Sequence, residues 1–133
     1  MNNKNLGLSI GFILMVVAIV IALLLPKPKA LEFFTILLAS IAAAYAGFTF
    51  ADTSRTQDLI IEMANISMYL VLVLLSIWET PYFLVAGYFW HGVWDAIHHE
   101  KIKLVHTRVP EWYIYGCIFF DFAIGAFILL WVI

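Results

Sequence analysis

Long apolar runs, separated by short clusters of charge and proline, dominate this chain. The first extends from Leu6 to Leu25 without a charged residue and is closed by Pro26-Lys27-Pro28-Lys29. Paired prolines interrupt a helix, and the adjacent lysines suit a lipid headgroup region. A second run covers residues 31–50 and is followed by a polar stretch from Ala51 to Asp58. The third, Leu59 to Trp78, is joined by Glu79-Thr80-Pro81 to a fourth at residues 82–98. After the longest polar stretch, His99 to Pro110, a fifth run extends from Glu111 to Ile133. Each approaches the roughly 20 apolar residues with which a helix crosses the hydrocarbon core. No strand-like alternation interrupts them. The pattern predicts an all-α chain: a polytopic membrane protein, one transmembrane domain over residues 1–133, built as a bundle of five transmembrane helices.

Composition sharpens this reading. The chain is 65% hydrophobic and 12% charged, with a mean hydropathy of +1.00, whereas soluble domains carry about 45–50% apolar and about 25% charged residues. A separate soluble domain and a nucleotide-binding α/β fold are excluded. A net charge of −2 gives no reason to expect a nucleic-acid partner; the expected partner is the lipid bilayer. Cys117 is the single cysteine, so an intrachain disulfide is impossible. The first run exceeds the roughly 7–15 apolar residues of a signal peptide, which favours a retained span. With five spans, Lys4, Arg55, Lys101, Lys103 and Arg108 fall on one side and Lys27 and Lys29 on the other. The richer side is expected in the cytoplasm, giving N-terminus in and C-terminus out. Ala39, Ala43 and Gly47, spaced by four, predict close approach of a neighbouring helix, inside the bundle or across a dimer. Five short helices enclose little volume, so a homodimer or larger homo-oligomer is expected.

Several ionisable residues interrupt the apolar runs. Placing one in the bilayer core costs about 2.5–3.5 kcal/mol on insertion scales, and such groups usually serve function. Glu62 lies in the third run, His91, Asp95, His98 and His99 in or beside the fourth, and Asp121 in the fifth. At about 100° per residue the four on the fourth run share one stripe, and Glu62, Asn65, Tyr69 and Ser76 share another. A rise of about 1.5 Å per residue puts His91 and Asp121 roughly 10–15 Å deep. Asp95, His98 and Glu62 are expected to form a shallower layer above them, in a polar pocket open to the cytoplasmic side.

Side chains three or four apart on one helix can chelate a metal. His91 and Asp95, Asp95 and His98, and Asp95 and His99 have that spacing. The candidate metal ligands are therefore His91, Asp95, His98, His99 and Asp121, with Glu62 as a further ligand or the catalytic general base. One ion, or two with Asp95 between them, would fit. Imidazole and carboxylate ligands point to a divalent metal, zinc or iron before manganese, and argue against soft copper sites.

His91-Gly92-Val93-Trp94-Asp95-Ala96-Ile97-His98-His99, followed by Pro110, Gly116-Cys117 and Asp121, resembles a family of small bacterial integral membrane proteins known only as a domain of unknown function. Its members are similar in an H-x-x-W-D-x-x-H-H stretch and a later G-C-x-x-x-D stretch. Tyr45-x-Gly47 and Glu62 also fit, so the likeness covers residues 43–130. The resemblance implies a shared polar site in a multi-pass protein of the bacterial inner membrane, without naming its reaction.

Two functional readings and one structural reading follow. The same groups could form the centre of a metal-dependent membrane enzyme, a hydrolase or oxidoreductase acting on a lipid or other apolar substrate. They could form a relay in a proton or metal-ion transporter or channel. They could be interhelical glue, at about 0.6 kcal/mol per pair. The far halves of the third to fifth runs are almost wholly apolar apart from Ser76, Thr80 and Glu79, which favours a dead-end site over a conduit.

Overall fold

The computed structural model describes residues 2–52 and 55–132, so Thr53 and Ser54 of the polar connector and Ile133 lie outside the described residues. Five α-helices follow one another: α1 Asn3–Leu24, α2 Lys27–Ala51, α3 Thr56–Trp78, α4 Tyr82–His98 and α5 Glu111–Phe127. A π-helical turn, Ile128–Val132, continues α5. The all-α expectation holds. Four helices, α1, α2, α3 and the α5 segment extended to Trp131, are long and apolar enough to cross a membrane. The fourth is shorter, at 17 residues, yet nine of those residues are buried, which makes α4 the central helix around the site.

Helix boundaries follow local chemistry. Asn2 caps α1, its side chain accepting from the backbone N–H of Asn5 at 2.9 Å, so the helix starts at Asn3 instead of Leu6. Leu25 is extended, the conformation favoured before proline, and ends α1. Pro26 is then the N-cap of α2 and Pro28 lies in its first turn. A proline there loses no hydrogen bond, because the first N–H groups of a helix have no intrahelical partner. The Pro26–Lys29 stretch therefore stops one helix and starts the next, and α2 begins at Lys27, not Leu31.

Glycines set the closest helix contacts. A Cβ on Gly7 would lie 2.1 Å from the Trp112 carbonyl oxygen, and one on Gly11 2.4 Å from that of Gly116. The Gly7-x-x-x-Gly11 step of α1 thus lies backbone to backbone on α5, as in small-residue packing of membrane helices. Across α5, Phe122 covers Gly92 and Phe89 covers Gly125. Within the chain, the Ala39, Ala43, Gly47 row does not pack closely. Ala43 and Gly47 are exposed, and a Cβ on Gly47 would meet nothing within 4 Å. The buried face of α2 is Phe34, Leu38, Ala42, Tyr45 and Thr49, rotated away from that row.

One half of the bundle is a packed apolar core around Phe34, Leu38, Leu84, Val85, Ile124 and Ile128. The other half carries the polar residues and is closed by residues 99–110. There Val105 and Thr107 are buried, Leu104 N–H donates to the Ile97 carbonyl at 3.2 Å, and Arg108 N–H donates to Asp52 Oδ2 at 2.8 Å. At this same end Asn3 Nδ2 donates to Glu111 Oε2 at 3.1 Å. Lys27 sits at the opposite end, 5.9 Å from the centroid of a Trp131 ring.

Candidate metal centre

The buried stripe of α4 repeats every three or four residues, through Tyr88, His91, Asp95 and His98. It therefore faces α2, α3 and α5 together. From α5 comes Asp121, buried one turn beyond Cys117. His91 Nδ1 lies 2.8 Å from Asp121 Oδ2 and 3.1 Å from Asp95 Oδ2, and all three residues have 0% exposure. One ligand atom from each falls within 4.8 Å of the other two. Metal–nitrogen and metal–oxygen bonds of about 2.0–2.2 Å place neighbouring ligand atoms roughly 3–3.5 Å apart, so the spacing suits a single ion. This buried His/Asp/Asp group could hold a metal ion.

Its hydrogen-bond accounting is incomplete in the same direction. His91 Nδ1 faces two carboxylate oxygens but can carry only one hydrogen. Buried His91 Nε2 and Asp121 Oδ1 have no hydrogen-bond partner. Two acids and one imidazole held out of water with open valences incur a desolvation penalty of several kcal/mol per ion, roughly. A cation would offset it.

Tyr45 braces the group from α2. Its hydroxyl donates a short hydrogen bond to Asp95 Oδ1, which leaves Oδ2 directed at His91. Its ring centroid lies 5.4 Å from that of His91 and 5.1 Å from that of His98. The Tyr69 ring centroid lies 5.1 Å from that of His91. The imidazole thus has two aromatic neighbours.

A second polar cluster sits toward the closed end. His98 Nδ1 lies 2.9 Å from the Trp94 carbonyl, which only accepts, so Nδ1 carries a hydrogen. His98 Nε2 then meets Glu62 Oε1 at 2.6 Å, and the two share a proton. Trp94 Nε1 donates to the other oxygen, Glu62 Oε2, at 3.1 Å. Deeper on α3, Asn65 accepts from Trp90 Nε1 at 2.9 Å. These contacts correct the expected layering: Asp95 lies in the deeper layer with His91 and Asp121, and the shallower layer is Glu62, His98 and Trp94. They also correct the expected open pocket. Glu62, His91, Asp95 and Asp121 are all inaccessible to solvent, because the 99–110 segment folds back over the bundle end.

His99 stands apart. It is the C-cap of α4, its Nδ1 accepts from the Lys101 N–H at 3.3 Å, and its Nε2 faces the Tyr115 hydroxyl at 2.8 Å. Although one turn from Asp95 in sequence, it leaves the helical path and turns toward α5. Among the described residues, His91, Asp95 and Asp121 form the one group of three ligand-type side chains close enough to share an ion; His98 and Glu62 form a hydrogen-bonded pair beside it. The sequence reading did not place Tyr45 or Trp94 in the site. The signal for Tyr45 was its place in the Leu38, Ala42, Tyr45, Thr49 stripe.

Fold and site together define an all-α bundle with membrane-like helices around a buried His/Asp/Asp centre. The sequence profile of the family of unknown function DUF6010 matches residues 7–132, and the chain belongs to that family. Neither a curated protein nor a solved structure matches the chain. The match begins within α1, so the helix that docks by its glycines is part of the family's shared domain.

Proposed function

We propose that this protein is a metal-dependent enzyme of the bacterial cell membrane, spanning the bilayer five times with its N-terminus in the cytoplasm, and acting on a lipid or other apolar substrate. The observation that carries this reading is the His91, Asp95 and Asp121 triad, fully buried and spaced for one ion. The ligand chemistry favours zinc or iron, at one ion per chain. A bound ion supplies Lewis acidity, polarising an oxygen brought to it.

The chain's own residues do the rest. Tyr45 fixes the Asp95 carboxylate. Glu62 holds or releases a proton as general base, positioned by Trp94 and partnered by His98. The apolar core around Leu38, Leu84, Ile124 and Ile128 seals the deep side, which supports a dead-end site over a transport path. Packing into a homo-oligomer supplies further walls.

Protein reconstituted in vesicles of total bacterial lipid, with and without a chelator, tests the proposal. The expected result is a lipid species that turns over only with metal and not in Asp121→Ala. Metal or proton uptake by the vesicles without lipid turnover would instead identify a transporter and overturn the enzyme reading.

A further inference from the structure

An apolar cavity of about 360 Å³ lies between α1, α2 and α5. Leu14 and Val17 of α1 form its rim and are half-exposed on the bundle surface. Tyr113, Cys117 and Phe120 of α5 form its inner wall. That wall is thin. Tyr113 is one ring from Tyr45, at 6.4 Å between centroids, and the Tyr45 hydroxyl binds Asp95. Phe120 is the residue immediately before Asp121.

We infer that this cavity receives one acyl chain of a membrane phospholipid, its middle carbons at the depth of the metal centre and separated from it by Tyr113 and Phe120. The inference goes beyond the enzyme reading above and assigns a separate lipid-chain site on the far side of that wall. All three helices that line the cavity are long and apolar enough to cross a membrane, so its rim faces lipid tails. A dry apolar cavity loses dispersion contacts along its walls, and an apolar ligand restores them. At that depth the abundant apolar ligand is a lipid chain. Depth also sets the register. Trp112 lines the cavity near the start of α5, at the level of an ester, and Asp121 lies about 13–14 Å further along the helix. A chain descending from Trp112 passes Cys117 and Phe120 with its central methylenes.

Photo-crosslinking tests both the occupant and its register. The full chain is reconstituted in phosphatidylcholine vesicles that contain phosphatidylcholine bearing a diazirine either mid-chain or next to the ester. Peptide mapping should find the mid-chain probe on Cys117 and Phe120 and the ester-proximal probe on Trp112. The double variant Leu14→Trp, Val17→Trp fills the rim, and should reduce inner-wall labelling at least tenfold with metal content unchanged. Labels confined to outward residues such as Ile36 and Phe122, or undiminished labelling in the filled variant, would overturn the inference. Metal missing from wild-type protein with a labelled inner wall would sink the enzyme reading and leave the chain site standing.

Discussion

Two faces of α5 meet two neighbours in different ways. Toward α1 it offers Gly116, and the two backbones touch through Gly7 and Gly11. Toward α4 it offers Gly125 and the ring of Phe122, which pack on Phe89 and Gly92, with Asp121 reaching His91 beside them. Roughly 140° separates Gly116 from Asp121 around the helix. The α1 contact joins two apolar helices through close backbone packing without a buried polar side chain. The α4 contact has comparable close packing and carries the polar group as well. Attachment therefore does not require Asp121, and the desolvation penalty of burying its carboxylate, several kcal/mol in order of magnitude, points to another use.

The largest effect that would sharpen this contrast is loss of a ligand. Asp95→Ala and Asp121→Ala should each lower metal content at least a hundredfold while circular dichroism stays helical, since the glycine contacts remain. Unfolding of both would make the polar group structural. Next, Gly11→Val pushes a side chain into the Gly116 carbonyl and should destabilise the bundle by about 3 kcal/mol, the upper range for overpacking. Its folded fraction should keep metal, which separates the two faces of α5. Tyr45→Phe removes the hydrogen bond that orients Asp95 and should weaken metal affinity roughly 10–100-fold, the range seen when a ligand's supporting partner is lost. Isothermal titration with zinc or iron(II) reads this directly. The smallest change is expected for His99→Gln, on the half-buried turn beside Tyr115; stability should move by about 0.5 kcal/mol or less, with metal content unaltered.

Much of this was legible in the residues alone. Long apolar runs located all five helices, and the three- and four-residue spacing of His91, Asp95 and His98 gave the buried face of α4. Depth counting matched His91 with Asp121 across two helices, and they are in contact. What remained illegible was rotation about each helix axis, because that depends on the partner. Ala39, Ala43 and Gly47 have the composition of a contact row, yet α2 turns its larger Leu38 and Tyr45 face inward. The row that packs is Gly7 and Gly11 on α1. Chain ends were equally hard: His99 continues the stripe of α4 on paper, but helix termination at His98 turns it away. The closure by residues 99–110 depends on Arg108 reaching Asp52, a pairing across 56 positions that no local pattern announces. Tyr45 was hidden for a related reason, since a buried tyrosine on an apolar face looks like core until its hydroxyl's partner is known.

Elemental analysis of untagged wild-type protein, purified without chelators, bears most directly on the central claim. About one zinc or iron ion per chain, lost together with either carboxylate of the triad, is the outcome required. Metal-free protein that remains folded and binds no divalent ion when titrated would contradict it.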